Sequence, residues 1–317
     1  MNCQHNHTFI GIDISKNAFD YADSIAMKPK RCTYDEDGVN HAVEQFTLLA
    51  PKLIVMEATG GLERRLAHRL MKEGFDVVVA NPRYIRSFAV GMKQLAKTDK
   101  LDAKIITKYA KTAELEPDTL PTPYEIRLQA LVTRRLQLVE MRTAESNRMA
   151  RTEDVEMCQS VQDMLDMIDK QISGIEASMK KIMEKAEGVR ERVALLKSMK
   201  GVGPVTSGVL VTMLPELGRV NGKEIAKLVG VAPINNESGE SWKKMRTLGG
   251  RKRVRTALYM AALSAIRWNS AIRIFYERLR AAGKSKMTAL VASMRKMLTI
   301  LNAMIKHNQP WRDTVNP

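Results

Sequence analysis

The sequence predicts a mixed α/β domain followed by a mostly helical remainder. Three observations predict it. Short apolar runs alternate with amphipathic helical stretches through the first 115 residues. Apolar residues spaced by four and three dominate the middle, and the last third is helical and strongly basic. A length of 317 residues, 44% of them hydrophobic, is ample for a buried core and for two or three domains.

In the first third, Phe9–Ile14 reads as a strand, with Asp13 in its middle. Residues 17–24 and 30–34 read as two further strands of a meander. Residues 39–49 have helical spacing, and Lys52–Glu57 is a buried-type strand ending in a carboxylate. Gly60-Gly61 breaks it, a helix covers 62–73, and Gly74 ends that helix. Phe75–Ala80 is another strand, stopped by Asn81-Pro82, and helices follow over about 83–92 and 99–112. This order suits a sheet with an antiparallel three-strand part and parallel additions.

Two acids break the apolar rule on those strands, Asp13 and Glu57. A charge in a buried strand is costly unless it is paired or metal-bound. They come side by side if the first and fourth strands are neighbours. Asp99 and Asp102 share one face of the last helix by their spacing of three, and Lys97 and Lys100 lie among them. Taken alone, Asp99 and Asp102 read first as a helix cap with its third-position partner. Taken with Asp13 and Glu57, they complete four carboxylates without matched arginines. Hard oxygen donors of that kind suit Mg²⁺ or Mn²⁺, and paired divalent cations are a device of phosphodiester chemistry.

The blocks Gly11-Ile12-Asp13, Met56-Glu57-Ala58-Thr59-Gly60 and Lys97-Thr98-Asp99-Lys100-Leu101-Asp102-Ala103 resemble those of the DEDD transposases. These are the Piv-invertase-like recombinases of the insertion-sequence one-hundred-ten family. The order of elements is similar to an RNase H/RuvC-type nuclease domain. The resemblance implies that Asp13, Glu57, Asp99 and Asp102 bind Mg²⁺ and act on DNA. It also implies a coiled-coil spacer, a homo-oligomer (dimer or tetramer) with sites composed between protomers, and a structured guide RNA.

Pro117, Pro121 and Pro123 mark a linker, and helical sequence starts near Tyr124. Val161, Leu165, Ile168, Ile172, Ile175, Met179, Ile182, Ala186, Val189, Val193 and Leu196 form a heptad seam of a long hairpin or of a coiled coil to another copy. The expected division is 1–115, an acid-bearing catalytic domain; 116–195, linker and spacer helices; and 196–317, a basic C-terminal domain.

Charge supports that division. Lys+Arg against Asp+Glu is 17 to 14 over 1–115, 12 to 15 over 116–195, and 22 to 6 over 196–317. The last 122 residues thus hold a net +16, equal to the whole chain's excess. A polyanion partner follows, most simply nucleic acid, and basic surface fits DNA and RNA alike. Leu195–Val205 reads as a helix-hairpin-helix element, with Gly201 and Gly203 able to approach phosphate, or as a plain packing joint. Lys243, Lys244, Arg246, Arg251, Lys252, Arg253 and Arg255 crowd thirteen residues just after a serine-glycine loop. The residues alone do not rank Ser238 over Ser241, since such serines also serve turns. The resemblance places the family's nucleophilic serine at Ser238, in Glu237-Ser238-Gly239. Helices are expected over 254–268, 269–281 and 285–306, with their methionines in the core.

Cys3, Cys32 and Cys158 are scattered and odd in number, which fits a reducing compartment and gives no disulfide framework. The sequence shows neither a run of 18 apolar residues nor a signal-peptide pattern. The expectation is a soluble, cytoplasmic, nucleoid-associated protein without a membrane partner. Two other classes fit the residues: a metal-dependent junction nuclease using water, and a non-catalytic nucleic-acid-binding protein whose acids only cap helices.

Overall fold

A computed structural model of the chain describes residues 7–94, 99–234, 237–238, 241–242, 246–247 and 249–312. The chain forms two compact units, Met1–Pro121 and Thr122–Pro317.

The first unit runs β1 Phe9–Ile14, β2 Ala18–Asp23, β3 Lys30–Thr33, α1 Glu36–Leu49, β4 Leu53–Glu57, α2 Glu63–Lys72, β5 Val77–Ala80, α3 Pro82–Gly91 and α4 Asp99–Thr112. The strands form one five-stranded sheet in the order β3-β2-β1-β4-β5. β1, β2 and β3 pair antiparallel through short turns, while β4 and β5 add parallel after helical crossovers. The mixed sheet, the meander and the β1–β4 adjacency agree with the sequence expectation.

Alternation along the strands assigns the two faces. Ile10, Ile12 and Ile14 of β1, Phe19 and Tyr21 of β2, and Ile54 and Met56 of β4 join residues of α1 and α2 in one core. Burial pushes the Tyr21 hydroxyl pKa up to about 12. Phe9, Leu53 and Val55 alternate with those residues and pack with Ile105, Ile106 and Ala110 of α4. Covered on both faces, β1 and β4 are apolar except where they carry Asp13 and Glu57.

α4 lies unusually close to β1. The Gly11 N–H donates to Thr107 Oγ1 at 3.1 Å, and that hydroxyl donates onward to Ala22 O and Ala103 O at 2.9 and 2.8 Å. A Cβ at residue 11 would stand 2.2 Å from the Thr107 nitrogen and 2.7 Å from the Ala103 oxygen. Only glycine lets the helix backbone touch the strand there.

The second unit runs α5 Pro123–Met149, α6 Val155–Lys185, α7 Glu187–Ser198, α8 Pro204–Met213, α9 Gly222–Val229, β6 Pro233–Ile234, β7 Glu237–Ser238, β8 Ser241–Trp242, β9 Arg246–Thr247, α10 Lys252–Trp268, α11 Ser270–Ala281 and α12 Lys286–His307. α5 opens with Pro123 at its first turn and a capping box between Thr122 and Glu125, the strong start the proline cluster indicated. α5 and α6 form an antiparallel hairpin. Arg135 pairs with Glu176 at 2.7 Å and Arg142 with Asp169 at 2.6 Å, so seven residues forward on one helix match seven back on the other.

The apolar seam does not stay on one helix. It breaks at Ala186, which ends α6 and starts α7 in an extended conformation. Leu165 and Ile168 are buried in the hairpin, whereas Ala186, Val189, Val193 and Leu196 join the core built by α8, α10 and α12. The two ends of the 116–195 stretch, Leu128 to Val132 and Met179 onward, share one core with residues of the last third. Met294, Met297 and Met304 are buried there as expected, while Met287 is exposed. Among the described residues α12 alone has the length and apolar content of a membrane span, and its apolar side chains fill this core.

Candidate active site

The sheet brings two of the four expected acids together. The parallel register pairs Gly11 with Val55 and Ile12 with Met56. One step further, Asp13 and Glu57 stand as neighbours at the carboxyl ends of β1 and β4. Both alternate with the apolar residues facing α1 and α2, so both belong to the face covered by α4. Both are half-buried.

Asp99 and Asp102 lie in the first turn of α4. Asp102 is half-buried and directly precedes Ala103, whose carbonyl lies at the Gly11 contact. The acidic turn thus begins within one helical turn of a residue two positions before Asp13. α4 already includes Asp99, which makes it a helical residue rather than the cap, and Thr98 before it lies outside the described residues.

Among the described residues, no three His, Cys, Asp or Glu side chains are close enough to hold a metal ion. Asp99 does not enter that count, because its side chain lies outside the described residues. The chemistry of the donors still fits one class of ion. All are carboxylate oxygens, and Asp13 and Glu57 share a face, as a hard divalent cation requires.

The loop after Glu57 is held firmly. Gly60 and Gly61 adopt positive φ of 67° and 109°. The buried Glu63 carboxylate accepts from the Thr59 and Gly61 N–H groups, each at 2.9 Å. The Tyr34 hydroxyl donates to Leu62 O at 2.5 Å and accepts from the Leu66 N–H. Neither Glu63 nor Tyr34 was singled out in the sequence. The signal for Glu63 was its place two residues after a glycine pair.

A further acid was missed as well. Asp20 of β2 stands directly opposite Asp13 in the antiparallel register, and Arg31 of β3 stands directly opposite Asp20. The Asp20 carboxylate lies 3.6 Å from the Arg31 guanidinium. It is 3% exposed, the burial of a core residue. Arg31, Asp20, Asp13 and Glu57 therefore form one row across four strands. The sequence signal was Asp20 at the centre of an alternating strand, Ala-Phe-Asp-Tyr-Ala.

In the second unit, Ser238 and Ser241 are register partners of the β7–β8 hairpin. The two serines left open by the residues alone thus stand opposite each other. Their side chains, and Gly239 and Glu240 between them, lie outside the described residues.

The basic cluster divides. Arg251 is committed internally: it makes a two-pronged ion pair with Glu216 at 2.5 Å and donates to Met213 O at 3.2 Å. Arg255 donates to the backbone carbonyl of Gly249 and packs against Gly230. Both are half-buried and hydrogen-bonded within the unit. Lys252 and Arg253 are exposed at the start of α10. Lys100 lies in α4 and Arg246 in β9, while Lys97, Lys243 and Lys244 lie outside the described residues. Gly201 is also a packing residue. It has φ of 105°, and a Cβ there would meet Ala265 of α10 at 2.6 Å. Gly203 starts α8, and its Cβ position is open space.

Two family models match the chain. A transposase model of the DEDD, IS110 type covers residues 10–152, and a model of the IS116/IS110/IS902 transposase family covers residues 193–277. The chain is 28% identical to the pilin gene-inverting protein of Moraxella lacunata, across 96% of this chain and 97% of the relative. Its counterpart in Moraxella bovis is equally similar, at 28% with the same coverage. It is also 28% identical to an IS110 insertion-element protein of Streptomyces coelicolor, over 46% of this chain and 36% of that one. The first match spans β1, β4 and α4 with all four acids, and the second spans the β7–β8 hairpin. The chain belongs to the IS110 family of transposases, enzymes that recombine DNA.

Proposed function

We propose that the protein cuts and rejoins DNA strands with Ser238 as nucleophile and with Mg²⁺ or Mn²⁺ held by Asp13, Glu57, Asp99 and Asp102. The observation that carries this reading is the arrangement around Gly11. The β1–β4 register sets Asp13 beside Glu57, and α4, which carries Asp99 and Asp102, packs its Ala103 backbone against Gly11, two residues before Asp13. On this reading the first unit is a RuvC-like nuclease domain, whose sheet order and terminal acidic helix support the assignment.

Asp13, Glu57, Asp99 and Asp102 would hold a divalent cation, which would supply neutralisation of phosphate charge and a lowered pKa for an attacking hydroxyl. The Ser238 Oγ gives up its proton, which passes through solvent to the leaving oxygen, and attacks a DNA phosphorus. The Oγ–P bond forms as the P–O bond to the leaving deoxyribose breaks, giving a phosphoserine link and a free DNA hydroxyl. A hydroxyl of another strand then attacks the same phosphorus, releases serine and joins the new partner. A covalent intermediate of this kind conserves the bond energy that hydrolysis would dissipate.

Exposed Lys252 and Arg253, with the surplus of cations over 196–317, support contact with nucleic acid backbones, including a structured guide RNA. The α5–α6 hairpin leaves Met141, Val155, Met157, Met164 and Met167 exposed. That apolar surface supports a coiled-coil contact with a second copy and active sites composed between protomers.

Trapping tests the reading. Full-length protein is incubated with element-end DNA, guide RNA and Mg²⁺, then denatured. A protein–DNA adduct that resists denaturation is expected from wild type and from Ser241→Ala, and not from Ser238→Ala. Strand cleavage that survives in Ser238→Ala would replace the serine mechanism with hydrolysis by water.

A further inference from the structure

From Arg278 to Arg312 the chain holds eight lysines and arginines and neither an aspartate nor a glutamate. The helix at the centre of this stretch, α12, packs against both α9 and α11. We propose that the solvent face built by these three helices is a docking surface for the phosphate backbone of DNA, with its deepest contact at Lys223 and Arg295. The surface consists of residues other than Lys252 and Arg253, and the proposal uses neither a bound cation nor Ser238.

Three observations carry it. First, a cleft of about 490 Å³ opens between the start of α9 and the middle of α12, lined by Asn221, Gly222, Lys223, Arg295 and Thr299. Its walls are fixed in place. The buried Asn302 of α12 accepts from the Gly218 N–H and donates to Val220 O, each at 2.8 Å, which fastens the chain leading into α9 onto α12. A Cβ at residue 222 would stand 2.9 Å from Thr299 Cγ2, so Gly222 seats the first turn of α9 directly on α12. Two cations distant in sequence thereby line one preformed cleft whose lining holds no acid.

Second, the cations of the cleft lack a counter-charge. Asn221 Oδ1 accepts from the Lys223 and Glu224 N–H groups, and the Glu224 carboxylate accepts from the Asn221 N–H, so the helix start is capped from within. Among the described residues, neither Lys223 nor Arg295 has a carboxylate within ion-pair distance, although Arg295 is half-buried. A charge withdrawn from water is costly without a partner, and a phosphate supplies one in the two-pronged geometry that guanidinium binds.

Third, the row continues on the other flank of α12. Lys296 Nζ stands 4.4 Å and the Arg278 guanidinium 5.3 Å from the centre of the Phe275 ring of α11. The ring holds both side chains in place and leaves their charge unneutralised. Packed helices lie about 8–10 Å apart, so a row from α9 across α12 to α11 spans roughly 16–20 Å, about five phosphates along one DNA strand. Cations in such a row grip the backbone irrespective of sequence. DNA is the polyanion that enzymes of this family recombine.

The test is fluorescence anisotropy of the full-length protein with a labelled DNA duplex of arbitrary sequence, in EDTA and at several salt concentrations. Circular dichroism melts check folding. The double variant Lys223→Gln with Arg295→Gln is expected to weaken binding about tenfold and to lower the salt slope by about two. Arg278→Gln with Lys296→Gln is expected to lower the slope by a similar amount. Lys180→Gln, which removes an exposed cation of α6, is expected to change neither quantity. The readout involves neither Mg²⁺ nor strand chemistry, so it stands or falls separately from the four acids and the nucleophile.

Wild-type affinity and slope in the Lys223/Arg295 double variant overturn the proposal. So does an equal loss per charge in Lys180→Gln, which would reduce the surface to net charge alone. A loss confined to a structured RNA probe, with duplex binding intact, assigns the face to RNA and overturns it as a DNA surface. Should the double variant fail to fold, Lys223→Gln decides from its exposed position: a slope lower by about one is expected, and an unchanged slope overturns the proposal.

Discussion

Gly11 and Thr107 join the central strand to the helix that carries half of the acids. The Gly11 N–H donates to Thr107 Oγ1, and the residue 11 Cβ position lies 2.2 Å from the Thr107 nitrogen. Everything proposed for the site depends on this contact. It sets the α4 backbone at Ala103 and Thr107 directly against Gly11 of β1.

Gly11→Ala is expected to destabilise the first unit by about 3 kcal/mol, because an added methyl meets backbone that cannot rotate away. Thr107→Val keeps the shape but removes the acceptor for a buried N–H, at about 1–3 kcal/mol. Denaturant unfolding followed by circular dichroism measures both. A Gly11→Ala protein as stable as wild type would show that α4 does not sit on β1.

The two serines separate chemically. Ser238→Ala is expected to lower strand exchange by about a thousandfold or more, as loss of a nucleophile does. Ser241→Ala should leave it within a few-fold. Gel assays of joined DNA products measure the difference, and reversed effects would move the nucleophile to Ser241.

Arg251 and Arg253 are close in sequence and opposite in role. Arg251→Ala leaves the half-buried Glu216 without its partner and is expected to cost about 2 kcal/mol of stability. Its effect on DNA affinity should follow folding alone. Arg253→Ala should leave stability unchanged, weaken DNA binding uniformly across sequences, and reduce the salt slope by about one. Binding titrations at several salt concentrations distinguish the two.

His68 on α2 makes the first unit sensitive to acid. Burial holds its pKa below the ordinary 6.5, with Arg64 and Lys72 adding to the shift. The unfolded chain therefore takes up a proton at higher pH than the folded one. Stability is full above about pH 6.5, declines as pH falls below that value, and stops declining below the folded pKa. His68→Gln should remove this slope from the thermal melting profile of the chain between pH 7 and pH 5.

Much of the first unit was legible from residues. Alternation and breakers located five strands, and helix spacing placed α3 and α4 within a residue of their bounds. Asp13 and Glu57 stood out because a charge in an apolar run violates local pattern. Asp20 did not stand out, because its strand reads as partly polar and its burial depends on α4 folding over it from 80 residues away. The internal partners of Arg251 and Arg255 were not legible for a related reason. A cation's role depends on whether a carboxylate or carbonyl lies within reach, and Glu216 and Gly249 reach them only through the packing of α8, α9 and α10. The seam broken at Ala186 was continuous in spacing alone.

Composition, periodicity and breakers by themselves determined the element order of the first unit, the concentration of positive charge in the last third, and the two acids that interrupt apolar strands, Asp13 and Glu57. These depend on nearest neighbours along the chain. Tertiary structure decided which acids stand together, which arginines are committed internally, and that both ends of the middle helices pack into the C-terminal core. Those outcomes depend on contacts between residues tens of positions apart, and strand register and helix packing select them.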